Sequence, residues 1–280
     1  MTRSLLLGLI GEGISASRTP RMHENEGIAH DLTTIYRTID IAEERLTSVP
    51  LAELLTSAVH LGFDGLNITH PFKQQVIELL DEVDPGARRI GSVNTVVIDE
   101  AGRTTGHNTD VTGFARGFEA GLEGAARDRV VQIGAGGAGR AVAFALSESG
   151  VKDLVIADIS AERAQDLAAE IGDDVRAISM SELEPAITSA DGIVNATPVG
   201  MAAFPGTPFD TDLLDSQTWV ADVVYFPLET QLLREAKAKG CRTLDGSGMA
   251  VNQAIDAFEL FSGRKADPTR MRETFLSFGA

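Results

Sequence analysis

The run with the clearest chemical meaning is Gly134-Ala135-Gly136-Gly137-Ala138-Gly139, which follows the apolar stretch VVQI and leads into RAVAFALSESG. Strand, GxGxxG and helix in that order suit a dinucleotide pyrophosphate. The first glycine permits the tight turn, the second lets backbone approach the phosphates, and the third lets the helix pack close while its N-terminus attracts the anion. Alone, the run also fits a tight turn that holds nothing. A partner stands about 20 residues further on, where such sites place a ribose-binding acid: Asp158 ends the run LVIAD. Its carboxylate can accept hydrogen bonds from the adenosine ribose hydroxyls and would repel a 2'-phosphate, so NAD is expected over NADP. Arg163, one helical turn further, is expected to flank the adenine or to serve the surface. The plainer alternative for Asp158 is an acid opening a helix ahead of Ser160.

Three polar clusters lie in the first half: Ser17-Arg18-Thr19-Pro20; Asn67-Ile68-Thr69-His70-Pro71-Phe72-Lys73; and Asn94-Thr95 followed by Gly106-His107-Asn108-Thr109-Asp110. Each falls where a strand-like run ends or a helix begins, the usual place for ligand-facing loops in α/β proteins. Together they offer hydroxyl, amide, ammonium and carboxylate groups suited to a polyhydroxylated acid. The bland alternatives are a helix cap before Pro20 for Ser17 and Thr19, a turn for Asn94, and a solvated helix lysine for Lys73.

The elements that must carry these groups alternate. Strand-like runs at Leu5 to Ile10, Thr34 to Ile39, Asp64 to Ile68 and Val93 to Ile98 are separated by helix-like stretches at Met22 to Ala29, Leu51 to Leu61 and Lys73 to Leu80, which predicts α/β layers. A second series, Val130 to Ile133, Leu154 to Ala157, Val175 to Ile178, Gly192 to Asn195 and Trp219 to Val224, predicts a doubly wound parallel sheet. In SAERAQDLAAEIG the capping Ser160, the first-turn Glu162, the shared face of Leu167 and Ile171 and the terminal Gly172 spell out one helix. A boundary is expected between Asp110 and Arg129, with Val111 to Ala120 as a linker helix, and Met249 to Phe261 reads as an amphipathic helix. The expected domains are 1–110 for substrate and catalysis, 111–246 for the dinucleotide, and a C-terminal helical segment, 247–280, returning to the substrate domain.

The bulk composition excludes several classes. With 24 Lys and Arg against 41 Asp and Glu, a formal charge of −17 argues against a nucleic-acid surface, which needs clustered cations. Cys241 is the one cysteine, so an intrachain disulfide or multi-Cys metal site cannot form, in keeping with a reducing cytoplasm. The five histidines show no ligand spacing and no metal is expected. The opening apolar stretch is too short for a signal peptide or a membrane span. At 280 residues two modest domains are expected.

The sequence resembles the shikimate/quinate dehydrogenase family. That family carries Ser-x-Ser/Thr-Pro, N-[IV]-T-x-P-[FY]-K, G-[AS]-V-N-T and G-x-N-T-D segments, and all four occur here in order. GAGGAGRA, Asn195-Ala196-Thr197-Pro198, Asp222-Val223-Val224-Tyr225 and Asp245-Gly246-Ser247-Gly248-Met249 with Gln253 extend the likeness over nearly the whole chain. The resemblance implies two α/β domains, an N-terminal substrate domain and a Rossmann-type dinucleotide domain, with the active site in the cleft between them. It makes Lys73 and Asp110 the catalytic pair, handling the hydroxyl proton as hydride leaves the same carbon. Ser17 and Thr19 are implied to hold the substrate carboxylate, with Tyr225 reaching toward it, while Thr69, Asn94, Asp110 and Gln253 address ring hydroxyls. Gly134, Ala135, Gly136, Gly137, Ala138, Asp158, Arg163, Thr197, Val223, Gly246 and Met249 are implied to line the cofactor.

Thr19 stands where many shikimate-specific members have a second serine. With Asp158 it points to the NAD-linked quinate/shikimate subgroup, with an oxidative, catabolic bias and activity on both acids, since trimming a pocket shifts selectivity by only about 1–3 kcal/mol. The NADP-dependent biosynthetic enzyme is the nearest alternative, a non-catalytic quinate or shikimate sensor a more distant one, and a methylenetetrahydrofolate dehydrogenase-like enzyme leaves the Ser17/Thr19 and Gly106 to Asp110 segments unexplained. The implied partners are small molecules, the implied assembly a monomer or homodimer.

Overall fold

Leu5, Leu7, Leu9 and Ile10 are almost fully buried because β1 (Ser4–Gly11) runs inside a sheet that is covered on both faces, so the strand reads as a continuous apolar run. The structure, a computed structural model, describes residues 4–278. The chain forms two units, one ending at Thr109 and resuming at Val251, the other spanning Asp110–Ala250.

In the first unit β1 is followed by α1 (Thr19–Ala29), β2 (Thr33–Asp40), α2 (Leu51–His60), β3 (Gly65–Ile68), β4 (Glu82–Val83), α3 (Pro85–Ile90), β5 (Thr95–Ile98) and β6 (Thr104–His107). The sheet order is β2-β1-β3-β5-β6-β4. β1 runs parallel to β2 and β3, whereas β5 is antiparallel to both β3 and β6. That single reversal shapes one end of the sheet. It brings the start of β5 to the same end of the sheet as the ends of β3 and β6, with Thr95 opposite both Asn67 and His107.

The helix expected from Lys73 to Leu80 is not formed; a short 3-10 turn, Gln75–Leu79, stands there instead. The Lys73 carbonyl accepts from the Val93 N–H at 2.8 Å, so the chain at Lys73 is tied to the segment entering β5 rather than to a helical turn. β4 and β6 were not anticipated, being two residues long and Thr/Gly-rich respectively.

The second unit begins with α4 (Asp110–Gly121) and continues β7 (Arg129–Ile133), α5 (Gly137–Glu148), β8 (Asp153–Ala157), α6 (Ala161–Ile171), β9 (Val175–Ile178), α7 (Leu183–Thr188), β10 (Gly192–Asn195), β11 (Trp219–Asp222), α8 (Gln231–Ala238) and β12 (Thr243–Leu244). Every strand pair is parallel and the order is β9-β8-β7-β10-β11-β12. The order reverses between β7 and β10, which makes the carboxyl ends of those strands the switch point of a doubly wound sheet. The helix predicted at Ser160 forms as read, with the serine hydroxyl accepting from the Arg163 N–H. Next comes α9 (Ser247–Ser262), and α10 (Pro268–Leu276) closes the described chain. Phe258 and Phe261 of α9 are buried in the first unit. Among the described residues no helix is long and apolar enough to cross a membrane.

Candidate functional site

In the second unit the three glycines of the turn after β7 do different work. Gly134 has φ +107°, and a Cβ there would meet the Ala196 carbonyl oxygen at 2.6 Å. A Cβ on Gly139 would stand 2.2 Å from the Gly134 carbonyl oxygen, so only glycine lets α5 pack down onto the turn. Gly136 is different. Its backbone is extended, at φ −75° and ψ −171°, and a Cβ would meet nothing within 4 Å, so the bare backbone faces open space at the head of a 12-residue helix. That is the cradle a pyrophosphate needs, and the turn fits a dinucleotide.

Asp158, buried at the end of β8, accepts from the Ala135 N–H at 2.7 Å through one carboxylate oxygen. The other accepts from the Ser160 N–H and from the Arg163 guanidinium, both at 2.8 Å. Arg163, 53% exposed, is therefore a direct partner of the acid as well as a surface residue. Asp158 thus joins the glycine turn to the first turn of α6, and its negative charge has a half-exposed counter-ion.

Two further loops leave β10 and β11 at the same end of this sheet. The Asn195 amide donates to Asp222 at 2.9 Å, and its carbonyl accepts from the Thr197 N–H and hydroxyl. Asp222 also accepts from the Thr230 hydroxyl and the Val224 N–H. Burial pushes the Asp222 carboxyl up to about 6, with those hydrogen bonds opposing the shift. Asn195 and Asp222 thereby clamp the loops that bear Thr197 and Val223. Val223, Gly246 and Met249 line one recess with Asp222 and Leu244. A Cβ on Gly246 would lie 2.5 Å from the Val223 carbonyl oxygen, so this glycine is needed for close backbone contact. Tyr225 is 37% exposed, and Gly137 and Ala138 form the first turn of α5.

In the first unit the sheet end created by the reversed β5 gathers the polar clusters. The Asn94 carbonyl oxygen of the side chain accepts from the Thr109 N–H at 2.8 Å and the Thr95 hydroxyl at 3.0 Å, and its amide donates to the Thr109 hydroxyl at 2.9 Å. Asn67 donates to the Asn94 backbone carbonyl and the Thr95 hydroxyl while accepting from Tyr36. Thr69 and Lys73, both half-buried, follow β3, and Thr69 N–H donates to the Ile10 carbonyl. Ser17 and Thr19 enter α1 together; the Ser17 hydroxyl accepts from the Thr19 N–H at 3.4 Å. Between them Arg18 is buried, donating to the Phe275 carbonyl at 2.9 Å and lying over the Phe275 ring, which anchors the loop to α10. Gln253 is half-buried on α9, and the buried Asp110, next in the chain after Thr109, opens α4.

Sequence reasoning overlooked Tyr36, Thr230 and Gln132. Tyr36 is the one aromatic of β2, and its hydroxyl meets Asn67 only because the side chain reaches across β1. Gln132 was detectable as the lone polar residue in VVQI.

The doubly wound sheet, the glycine turn at its switch point and the acid ending its second strand define a dinucleotide-binding α/β protein. Residues 9–96 match the shikimate dehydrogenase substrate binding domain, residues 119–202 the shikimate / quinate 5-dehydrogenase domain and residues 246–274 the shikimate 5'-dehydrogenase C-terminal domain. The chain is 58% identical over 279 residues to a quinate/shikimate dehydrogenase (NAD(+)) of Corynebacterium efficiens, covering 98% of each. It is 53% identical to a shikimate dehydrogenase (NADP(+)) of Pseudarthrobacter chlorophenolicus, covering 100% of this chain and 97% of the relative. The solved quinate dehydrogenase from Corynebacterium glutamicum in complex with NAD superposes with a TM-score of 0.92 at 55% identity, over 99% of this chain and 100% of that one. The chain belongs to the shikimate/quinate dehydrogenase family.

Proposed function

We propose that this protein is an NAD-dependent quinate/shikimate dehydrogenase that reversibly oxidises one ring hydroxyl, shikimate to 3-dehydroshikimate and quinate to 3-dehydroquinate. The observation that carries the cofactor half is Asp158, fixed to the Ala135 N–H within the glycine turn. The turn from Gly134 to Gly139, together with Asp158, would hold NAD, which would supply the hydride-accepting chemistry.

The residues of the chain supply alignment and proton transfer. Ser17 and Thr19, at the start of α1, receive the substrate carboxylate, with Tyr225 as a further contact. The Ser17 oxygen accepts a backbone N–H, which leaves its own hydrogen for an anion. Asn94 has one amide hydrogen engaged by Thr109, which leaves the other to donate to a ring hydroxyl. Thr69 and Gln253 hold the neighbouring hydroxyls. Lys73 takes and returns the hydroxyl proton, and Asp110 holds the charge and position of that exchange. Thr197, Val223, Gly246 and Met249 complete the cofactor lining. The protein works as a monomer or homodimer, and a cytoplasmic location accords with its one buried thiol.

The competing reading, preference for NADP, is favoured by the Arg163–Asp158 pair, which offsets the acid. Steady-state oxidation of shikimate and quinate with NAD and with NADP, with Lys73→Ala as control, decides between them. Higher kcat/KM with NAD, abolished in the variant, is the expected result. An NADP preference overturns the reading of Asp158, and tight binding of either acid without turnover makes the protein a sensor.

A further inference from the structure

Gln132 is completely buried in β7, the central strand of the second sheet, two residues ahead of Gly134. Its register partners on the flanking strands are Ile156 and Val194, both apolar and fully buried. A primary amide in such surroundings costs free energy unless it is hydrogen-bonded. Its amide nitrogen donates to the Gly134 carbonyl and to the Gly139 carbonyl, each at 2.8 Å. Both hydrogens are thus spent on the first and last glycines of the turn. The orientation is set by chemistry, since the opposite one would aim the side-chain carbonyl at two other carbonyls. Even so, the Gln132 side-chain oxygen is buried with no partner, a cost that an apolar residue here would avoid.

What that cost secures is the shape of the turn. Gly136 at the head of α5 offers no side-chain cap, and Gly139 touches Gly134 so closely that no Cβ fits. We propose that Gln132 is a positioning residue for the dinucleotide: from beneath the turn it ties Gly134 to Gly139, and so holds the intervening N–H groups at the spacing a pyrophosphate requires without touching the cofactor itself. The inference rests on the reading that this turn holds NAD.

Calorimetric titration of the full-length protein with NAD, in the absence of substrate, tests it through two variants. Gln132→Met keeps the volume and removes the donors; its Kd for NAD is expected to rise about ten-fold, with the KM for shikimate at saturating NAD little changed and the unfolding midpoint lowered only modestly, since the unpartnered side-chain oxygen is removed along with the donors. Gln132→Glu can donate to a carbonyl only when protonated, so its NAD affinity relative to wild type is expected to fall as pH rises from 5 to 8. Unchanged NAD affinity in Gln132→Met, or a lower unfolding midpoint with unchanged affinity, overturns the proposal. So does a flat pH profile in Gln132→Glu. A wild-type protein that does not bind NAD sinks the reading of the turn itself, which separates that failure from this one.

Discussion

Tyr36 on β2 donates its phenolic hydrogen to the Asn67 side-chain oxygen on β3 at 2.7 Å, across the intervening β1, with both residues buried. Burial pushes the phenol well above its usual pKa, so it stays a donor at any ordinary pH. Asn67 in turn holds Asn94 through its backbone carbonyl. Tyr36→Phe leaves a buried acceptor unpaired at a cost of about 1–3 kcal/mol. Denaturant unfolding should show that loss, and the KM for shikimate should rise several-fold with kcat less affected. An unchanged KM would separate this network from substrate binding.

The three glycines separate fold from cofactor binding. Gly136→Ala meets open space and should keep the wild-type unfolding midpoint while weakening NAD binding by about ten-fold or more. Gly139→Ala drives a Cβ into the Gly134 carbonyl and should destabilise the protein by roughly 1–3 kcal/mol. Thermal scans with and without NAD distinguish the two patterns.

Asp158 and Arg163 should act in opposite directions on cofactor choice. Asp158→Ala removes the charge and frees the guanidinium, so the NADP/NAD ratio of kcat/KM should rise by about ten-fold or more, the worth of a hydrogen bond to a charged group. Arg163→Ala leaves the acid without its counter-ion and should lower that ratio below wild type. Ratios that move together would contradict the pairing.

His23 is expected to contribute to acid sensitivity. It is fully buried among Tyr36, Phe258 and Phe261, neither ring nitrogen has a partner, and burial lowers its pKa to about 3 against the opposing charge of Glu26. The folded state therefore refuses a proton that the unfolded chain takes up below about 6.5. Its contribution is intact above that pH and lost as pH falls toward 3. His23→Phe should gain on wild type by roughly 3 kcal/mol between pH 7 and pH 4. Chemical denaturation at the two pH values measures the gap, and a constant gap would remove His23 from the account.

The sequence by itself determined the alternating elements, the glycine turn with its acid, and the polar clusters, because helix and strand periods, caps and turn residues are local properties. It could not determine the reversal of β5, which the residues of a four-residue strand do not encode. That reversal brings Asn94 to the sheet end shared by Asn67 and Thr109. Nor could it show that Arg18 is anchored by Phe275, that Tyr36 reaches Asn67 across a strand, or that Arg163 pairs with Asp158. The Lys73 segment shows the same limit: a helical pattern yields to a 3-10 turn once the Lys73 carbonyl is taken by Val93. Partners far apart in the chain meet only when the sheets assemble, and buried polar groups must then find hydrogen bonds wherever the packing allows. The chemistry is written in residue types; its alignment belongs to the tertiary structure.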